Sequence, residues 1–306
     1  MEKTRAIALG FFDGIHIGHS ALMRKVLEVG GAKDLVPSVI TFDAHPLSLV
    51  KGEAVPLINS QEDRAGLIRR IFGINDIIFL HFDMETARMP WEEFIGHLAN
   101  EFGARHLVAG HDFRFGSGGN GNVALLEGKC GDMGIGCDII PPVRLDGVVS
   151  SSTYIRDLIS LGYIERANAF LGHPHVLTDT VRYGYRLGST LGTPTINMCF
   201  EPGVLIPAHG VYATQVFLGG GSVYAGVTNV GVRPTVDDAD TITAETHVLD
   251  YRSNLYGHKV RIEFHKRLRP EVKFRSIAEL KAQIQKDCAS AQEYFSINPQ
   301  ISEITA

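Results

Sequence analysis

Apolar residues in the first half of the chain fall in short continuous runs, separated by stretches with helical spacing. Arg5–Gly10, Val36–Phe42, Asp76–His81, His106–Gly110 and Cys137–Ile140 read as strands. Between them Gly18–Val29, Gln61–Phe72 and Pro90–Phe102 read as helices, with Leu67, Ile68, Ile71 and Phe72 recurring on one face of the second. Strands that are apolar on both faces and alternate with helices predict a parallel sheet covered on both sides. Sites in such sheets lie beyond the carboxyl ends of the strands.

The pattern changes after about residue 172, where Leu171–His175 carries Gly and Pro and reads as a linker. Beyond it, Gly210–Phe217, Val223–Asn229, Thr243–Leu249 and Lys259–Arg267 read as short strands, with Gly219–Ser222 as a hairpin turn. Strands at this spacing predict a small antiparallel barrel. A closing helix, Ile277–Tyr294, has Ser276 as its N-cap. The expected architecture is therefore α/β, with two domains at 1–172 and 176–300.

Composition narrows the function classes. With 306 residues the chain has room for two domains, and a net charge of −5 gives no basic field for nucleic acid. Cys130, Cys137, Cys199 and Cys288 are scattered and form no CxxC pair, which suits neither a zinc site nor a disulfide framework. The apolar run Ala6–Phe12 is too short for a signal segment, and Asp13 interrupts it. No stretch approaches the roughly 18 apolar residues of a membrane span. The expectation is a cytoplasmic protein, a monomer or weak homo-oligomer, that acts on small molecules.

Three clusters carry candidate chemistry in the first half. His16-Ile17-Gly18-His19 follows the first strand at a strand-to-helix junction, where backbone N–H groups favour anions. His16 and His19 share a face there and can both donate to phosphate oxygens, while Gly18 clears space for the backbone to approach. Preorganised donors of this kind stabilise the charge of nucleotidyl transfer. Ser150–Arg156 supplies hydroxyls and a guanidinium that serve equally as a helix cap or as a second phosphate grip. Gly110–Gly121 follows the fourth strand and is a glycine-rich loop, open either to a ligand or to plain solvent exposure.

The second half holds a stretch with Gly184, Gly188 and Gly192, then Thr195 and Asn197 in the run PTIN. A glycine loop can wrap phosphates, and no GK[ST] follows it, so it is not a P-loop. Thr195 and Asn197 alternate onto one side of an extended chain and offer oxygens to Mg²⁺. Glu245 lies in a predicted strand, where its carboxylate can face solvent or act as a base; spacing alone does not decide.

The order GFFDGIHIGH, TFDAHP, GHDFRFG, SSTYIR, GTPTIN, IPAHGVYA, GVTNVGVRPT, AETHVLDY, NLYG and LRPEVKFRS resembles the bacterial bifunctional riboflavin kinase/FAD synthetase family over nearly the whole chain. The resemblance implies an N-terminal Rossmann-like nucleotidyltransferase and a C-terminal riboflavin kinase barrel. It implies ATP and Mg²⁺, with riboflavin, FMN and FAD as substrates and products. It assigns catalysis to His16, His19, Arg156 and Glu245. ATP would meet Gly10, Phe12, Asp13, Gly18, Ser152 and Thr153 in one module and Gly184, Gly188 and Gly192 in the other. It places His45, Asp112 and Arg269 near flavin, and Thr195 and Asn197 at the metal. Leu187 and Ser189 stand where the family usually has arginines. That departure motivates an alternative: FMN adenylylation alone, with the second module reduced to flavin binding or assembly.

Overall fold

The computed structural model describes residues 3–43, 55–183, 193–233 and 241–298. The chain divides into two compact units, Met1–Ser152 and Thr153–Ala306.

The first unit is a parallel sheet of β1 (Arg5–Leu9), β2 (Val36–Phe42), β3 (Asp76–Leu80), β4 (Ala104–Gly110) and β5 (Gly136–Ile140), in the order β3-β2-β1-β4-β5. The expected doubly wound sheet is thus present, and the order reverses between β1 and β4. The crevice at such a reversal is where α/β sheets bind ligands. Helix α1 (Ile17–Lys33) packs over β1, β2 and β4, and outlasts the predicted Gly18–Val29. Gly30, within the helix, leaves room for Pro37, whose ring a Cβ there would meet at 2.7 Å. Helix α2 (Gln61–Phe72) is capped by Ser60.

The predicted helix Pro90–Phe102 is present as α4 (Trp91–Asn100), with Pro90 at its N-cap, and a short helix that the sequence reading missed, α3 (Met84–Arg88), precedes it. Phe94, Ile95 and Leu98 of α4 meet Ile7, Leu9, Leu107 and Phe115 in the core, together with Leu126 of α5 (Val123–Met133). A two-stranded ribbon, β6 (Arg144–Leu145) and β7 (Val148–Val149), precedes the boundary between the units.

The second unit opens with α6 (Ser152–Leu161), which begins at the boundary, and α7 (Ile164–Leu171). Asn168 of α7 donates to Phe264 O at 2.7 Å and accepts from His175 N at 2.9 Å, which ties the helix to the strands that follow. The stretch expected as a linker is therefore the end of α7, a left-handed Gly172 cap, and the start of β8 (His175–Thr180).

Six antiparallel strands follow the order β8-β13-β10-β11-β12-β9, with β9 at Thr195–Cys199, β10 at Gly210–Phe217, β11 at Val223–Arg233, β12 at Thr241–Val248 and β13 at Lys259–Pro270. Arg182 N donates to Asn197 O at 2.9 Å, and Cys199 N donates to the Asp179 carboxylate at 2.8 Å. These bonds join the two ends of the sheet and give it the barrel character expected. Gly220 and Gly221, both at φ 85°, turn the β10–β11 hairpin as the sequence predicts. On one face of the sheet the hydroxyls of Thr214, Thr228 and Thr246 form a chain of 2.8 Å contacts. On the other, α8 (Ile277–Ile297) packs Cys288, Ala291, Tyr294 and Phe295 against Val211, Ala213 and Val227. Ser276 caps α8 by accepting from Glu279 N.

Candidate active sites

The first site begins where β1 ends. Phe12 (φ 55°), Gly14 (φ 84°) and Ile15 (φ 44°) all take left-handed backbone. Such conformations in non-glycine residues cost on the order of 1–3 kcal/mol each and persist only when their surroundings hold them. Here the surroundings do. Phe12 and Ile15 are fully buried. The Asp13 carboxylate accepts from Ile58 N at 2.8 Å, and its carbonyl accepts from Ser152 Oγ at 2.8 Å. The Phe11 carbonyl accepts from Thr41 Oγ1 and Arg64 Nη1, each at 2.8 Å.

The turn delivers His16 as the N-cap of α1. Its Nδ1 accepts from the backbone N–H of Gly18 at 3.1 Å and of His19 at 3.3 Å. Accepting at Nδ1 places the ring hydrogen on Nε2. The two imidazoles stack at 3.6 Å with 19° between their planes, and Phe12 meets the His19 ring edge-on at 5.2 Å. Burial, and then the neighbouring His16, hold the His19 pKa well below its usual value. Near neutral pH His19 is therefore uncharged. A Cβ on Gly18 would lie 2.9 Å from His16 Cε1. The glycine makes room for the capping imidazole, a role distinct from the phosphate clearance that its spacing suggests. The Ser150 carbonyl lies on the same side of Gly18.

Ser152 thus comes to the turn that carries Asp13 and His16. Gly10 begins that turn, and a Cβ there would meet the Phe12 ring at 2.9 Å. Asp112 extends from the end of β4, on the same sheet edge as His16, with its carboxylate in solvent. Thr153 and Arg156 lie in the second unit, where Arg156 donates to Thr153 Oγ1 at 3.2 Å. His45, Gly184, Gly188 and Gly192 lie outside the described residues.

The second site is built from strand register. Arg269, Val211, Asn229, Glu245 and Asn197 are successive cross-strand partners over β13, β10, β11, β12 and β9. Directly paired residues project on one face of an antiparallel sheet. Thr195, paired with His247, joins that face one step along the strands. The His247 ring bonds Pro194 O through Nδ1 at 2.8 Å and fixes the PTIN run against β12.

This face, α8 and the segment after β13 enclose a cavity of about 280 Å³, with Thr195, Asn229, Glu245, Arg269, Phe274 and Ile284 in its wall. Arg269 is clasped by Asp287 of α8, with Nε 3.1 Å from both carboxylate oxygens and Nη2 2.8 Å from one. Asn197 is 5% exposed, and its Oδ1 has no partner among the described residues. An orphaned amide oxygen beside a threonine hydroxyl and a carboxylate is a donor set that fits Mg²⁺.

Sequence reasoning missed Arg64, Asn229 and His247. Asp287 stands in the matching tail but carried no assigned role. Arg64 gives no signal in a helix that already reads as amphipathic, and the others act through register that only pairing reveals. Among the described residues no group of three or more His, Cys, Asp or Glu gathers as a metal centre, all four cysteines are free, and no helix is long and apolar enough to cross a membrane.

Comparison with known proteins matches the two units to two activities. The FAD synthetase family model covers residues 1–154 and the riboflavin kinase model covers residues 171–295. The bifunctional riboflavin kinase/FMN adenylyltransferase of Escherichia coli (strain K12) is 35% identical over 301 residues, spanning 97% of this chain and 94% of its own. The Bacillus subtilis (strain 168) protein of the same name is 33% identical over 304 residues, spanning 96% and 94%. A crystal structure from Streptococcus pneumoniae, described as a macrolide-efflux protein, superposes with a TM-score of 0.83 at 27% identity over 94% of each chain. With a parallel-sheet unit and a barrel unit each matched by its own enzyme model, adenylylation alone is not favoured. The chain belongs to the bifunctional riboflavin kinase/FMN adenylyltransferase family, which makes FMN from riboflavin and then FAD from FMN.

Proposed function

We propose that the two reactions are divided between the two sites just described, with adenylylation at the His16–His19 turn and phosphorylation at the Glu245 face. The observation that carries this reading is that Glu245, in the wall of the cavity, pairs across the β9–β12 ladder with the buried Asn197. Glu245 takes the proton from the ribityl 5′-hydroxyl as that oxygen attacks the γ-phosphorus of ATP, and ADP leaves. Thr195 and Asn197 hold the metal, and Mg²⁺ when bound supplies charge neutralisation on the phosphates. Arg269, fixed by Asp287, borders the flavin, and Gly184, Gly188 and Gly192 are assigned to ATP by their motif alone.

In the other site an FMN phosphate oxygen attacks the α-phosphorus of a second ATP, and pyrophosphate leaves. The His16 Nε2–H and the His19 ring offer neutral donors to the polyphosphate. Gly10, Phe12, Asp13, Gly18 and Ser152 shape the nucleotide edge. Thr153 and Arg156 are assigned to the polyphosphate, and His45 and Asp112 to the flavin, by their motifs. The adenylyltransferase is assigned to residues 1–172 and the kinase to 176–300 by their motifs, while the compact units divide between Ser152 and Thr153. The protein is read as a cytoplasmic monomer or weak homo-oligomer that binds no nucleic acid. Chromatography of products from riboflavin, ATP and Mg²⁺ tests the assignment. His19→Ala should abolish FAD and spare FMN. A His19→Ala protein that forms FAD at the parent rate overturns it.

A further inference from the structure

The guanidinium of Arg64 is fully buried, although it lies on a helix with ample solvent-facing positions. It spans two strand ends. Nη1 donates to Phe11 O at 2.8 Å and to Thr41 Oγ1 at 3.3 Å, while Nη2 donates to Phe42 O at 3.1 Å. Thr41 Oγ1 donates to the same Phe11 carbonyl at 2.8 Å. The plane sits over the Phe11 ring at 4.7 Å and the Phe79 ring at 5.4 Å. Burial lowers the Arg64 pKa, and Asp13 and Asp43 oppose that shift, so the group stays charged.

A buried charge is costly unless its surroundings repay it, and several kcal/mol of desolvation is the usual scale. What this charge grips is the carbonyl immediately before the turn Phe12–Ile15, in which Phe12, Gly14 and Ile15 are left-handed and which presents Asp13 and His16. The planar fork reaches the ends of β1 and β2 at once, which a single ammonium does not. We infer that Arg64 is a positioning residue for adenylyl transfer, holding the strained His16 turn in register with the end of β2. The inference rests on the proposal that FAD forms at that turn.

The test compares Arg64→Met, Arg64→Lys and His19→Ala in the full-length protein. It measures FAD formation from FMN, FMN formation from riboflavin, and amide hydrogen exchange across β1 and β4. Misplacing a catalytic group by about 1 Å costs on the order of 100-fold in rate. The kcat for FAD synthesis should therefore fall roughly 10- to 100-fold in both Arg64 variants. The KM for ATP, the riboflavin kinase rate and the exchange protection of β1 and β4 should stay at parent values. A merely structural role would move the exchange protection together with the rate. If Arg64→Met does not fold, Arg64→Lys decides. Parent-like kcat in Arg64→Lys, or loss of rate only in step with lost protection, overturns the inference. His19→Ala separates the two levels: if it leaves FAD synthesis intact, the site reading fails, and if it abolishes FAD while the Arg64 variants are unaffected, only the positioning role fails.

Discussion

Glu245 stands directly across the β9–β12 ladder from Asn197, so a carboxylate and a buried amide oxygen with no partner among the described residues share one face of the barrel. Backbone pairing alone enforces their proximity, and it would survive many changes in side-chain packing. Asn229 flanks Glu245 on the other side.

Glu245→Gln keeps the size and hydrogen-bonding capacity of the residue but removes the base. FMN formation from riboflavin should drop by about 100- to 10,000-fold, the range of general-base contributions. FAD formation from supplied FMN should be unchanged. Separate assays of the two half-reactions check this, and an unchanged kinase rate removes Glu245 from the base role.

His16 both caps α1 and faces the proposed polyphosphate, and two substitutions separate those roles. Asn is a good N-cap, so His16→Asn should hold stability close to the parent while FAD synthesis is lost. His16→Ala should lose the same activity and also about 1 kcal/mol of stability. Chemical denaturation alongside the FAD assay reads both quantities.

Gly18→Ala is the smallest change at the first site. Its Cβ would press within 2.9 Å of His16 Cε1, and the ring must rotate away. FAD synthesis should fall at least ~10-fold, by loss of catalytic geometry. The kinase rate should not move, because the second site draws no residue from this turn.

Arg269 and Asp287 fasten α8 over the cavity proposed for the kinase reaction. Removing one partner of a buried pair costs about 3–5 kcal/mol, because the other is left uncompensated. Asp287→Ala should lower the unfolding midpoint of the barrel unit and weaken riboflavin binding, as followed by flavin fluorescence. Normal riboflavin affinity in that variant would separate the latch from the flavin site.

Two buried histidines set a pH dependence. Burial pulls the His265 pKa down to about 4, and burial with the nearby His173 takes that of His175 to about 3, against 6.5 for the unfolded side chain. Between those values the unfolded chain binds more protons than the folded one, so stability falls as pH drops below 6.5. At about pH 5 each group should cost roughly 2 kcal/mol relative to neutral pH. Denaturation curves at the two pH values measure the loss, and His265→Phe should remove about half of it.

The parallel sheet was legible because strands such as Ala6–Leu9 and Leu107–Ala109 are apolar on both faces, and because glycine or an acidic residue marks their ends. The edges of the barrel were not. His175 opens β8 yet sits in a Gly-His-Pro-His run with the composition of a linker, and β9 is the PTIN run that drew attention as a ligand motif. The HxGH turn announced itself, but the use of His16 as a cap did not, since histidine is not among the usual capping residues. Arg64 was hidden for a physical reason. Its burial depends on carbonyls from strands far away in sequence, and no local spacing encodes them.

The bond pattern at His16 bears on where positive charge can reside in the proposed adenylylation site. Both amide contacts at Nδ1 require that nitrogen to be an acceptor, so protonating it would uncap the helix. Burial keeps the stacked His19 neutral, so in the proposed site that ring would align a polyphosphate without countering its charge. On the proposed assignment, neutralising the nucleotide would fall to cations from elsewhere, and His19 would contribute alignment that does not change near neutral pH.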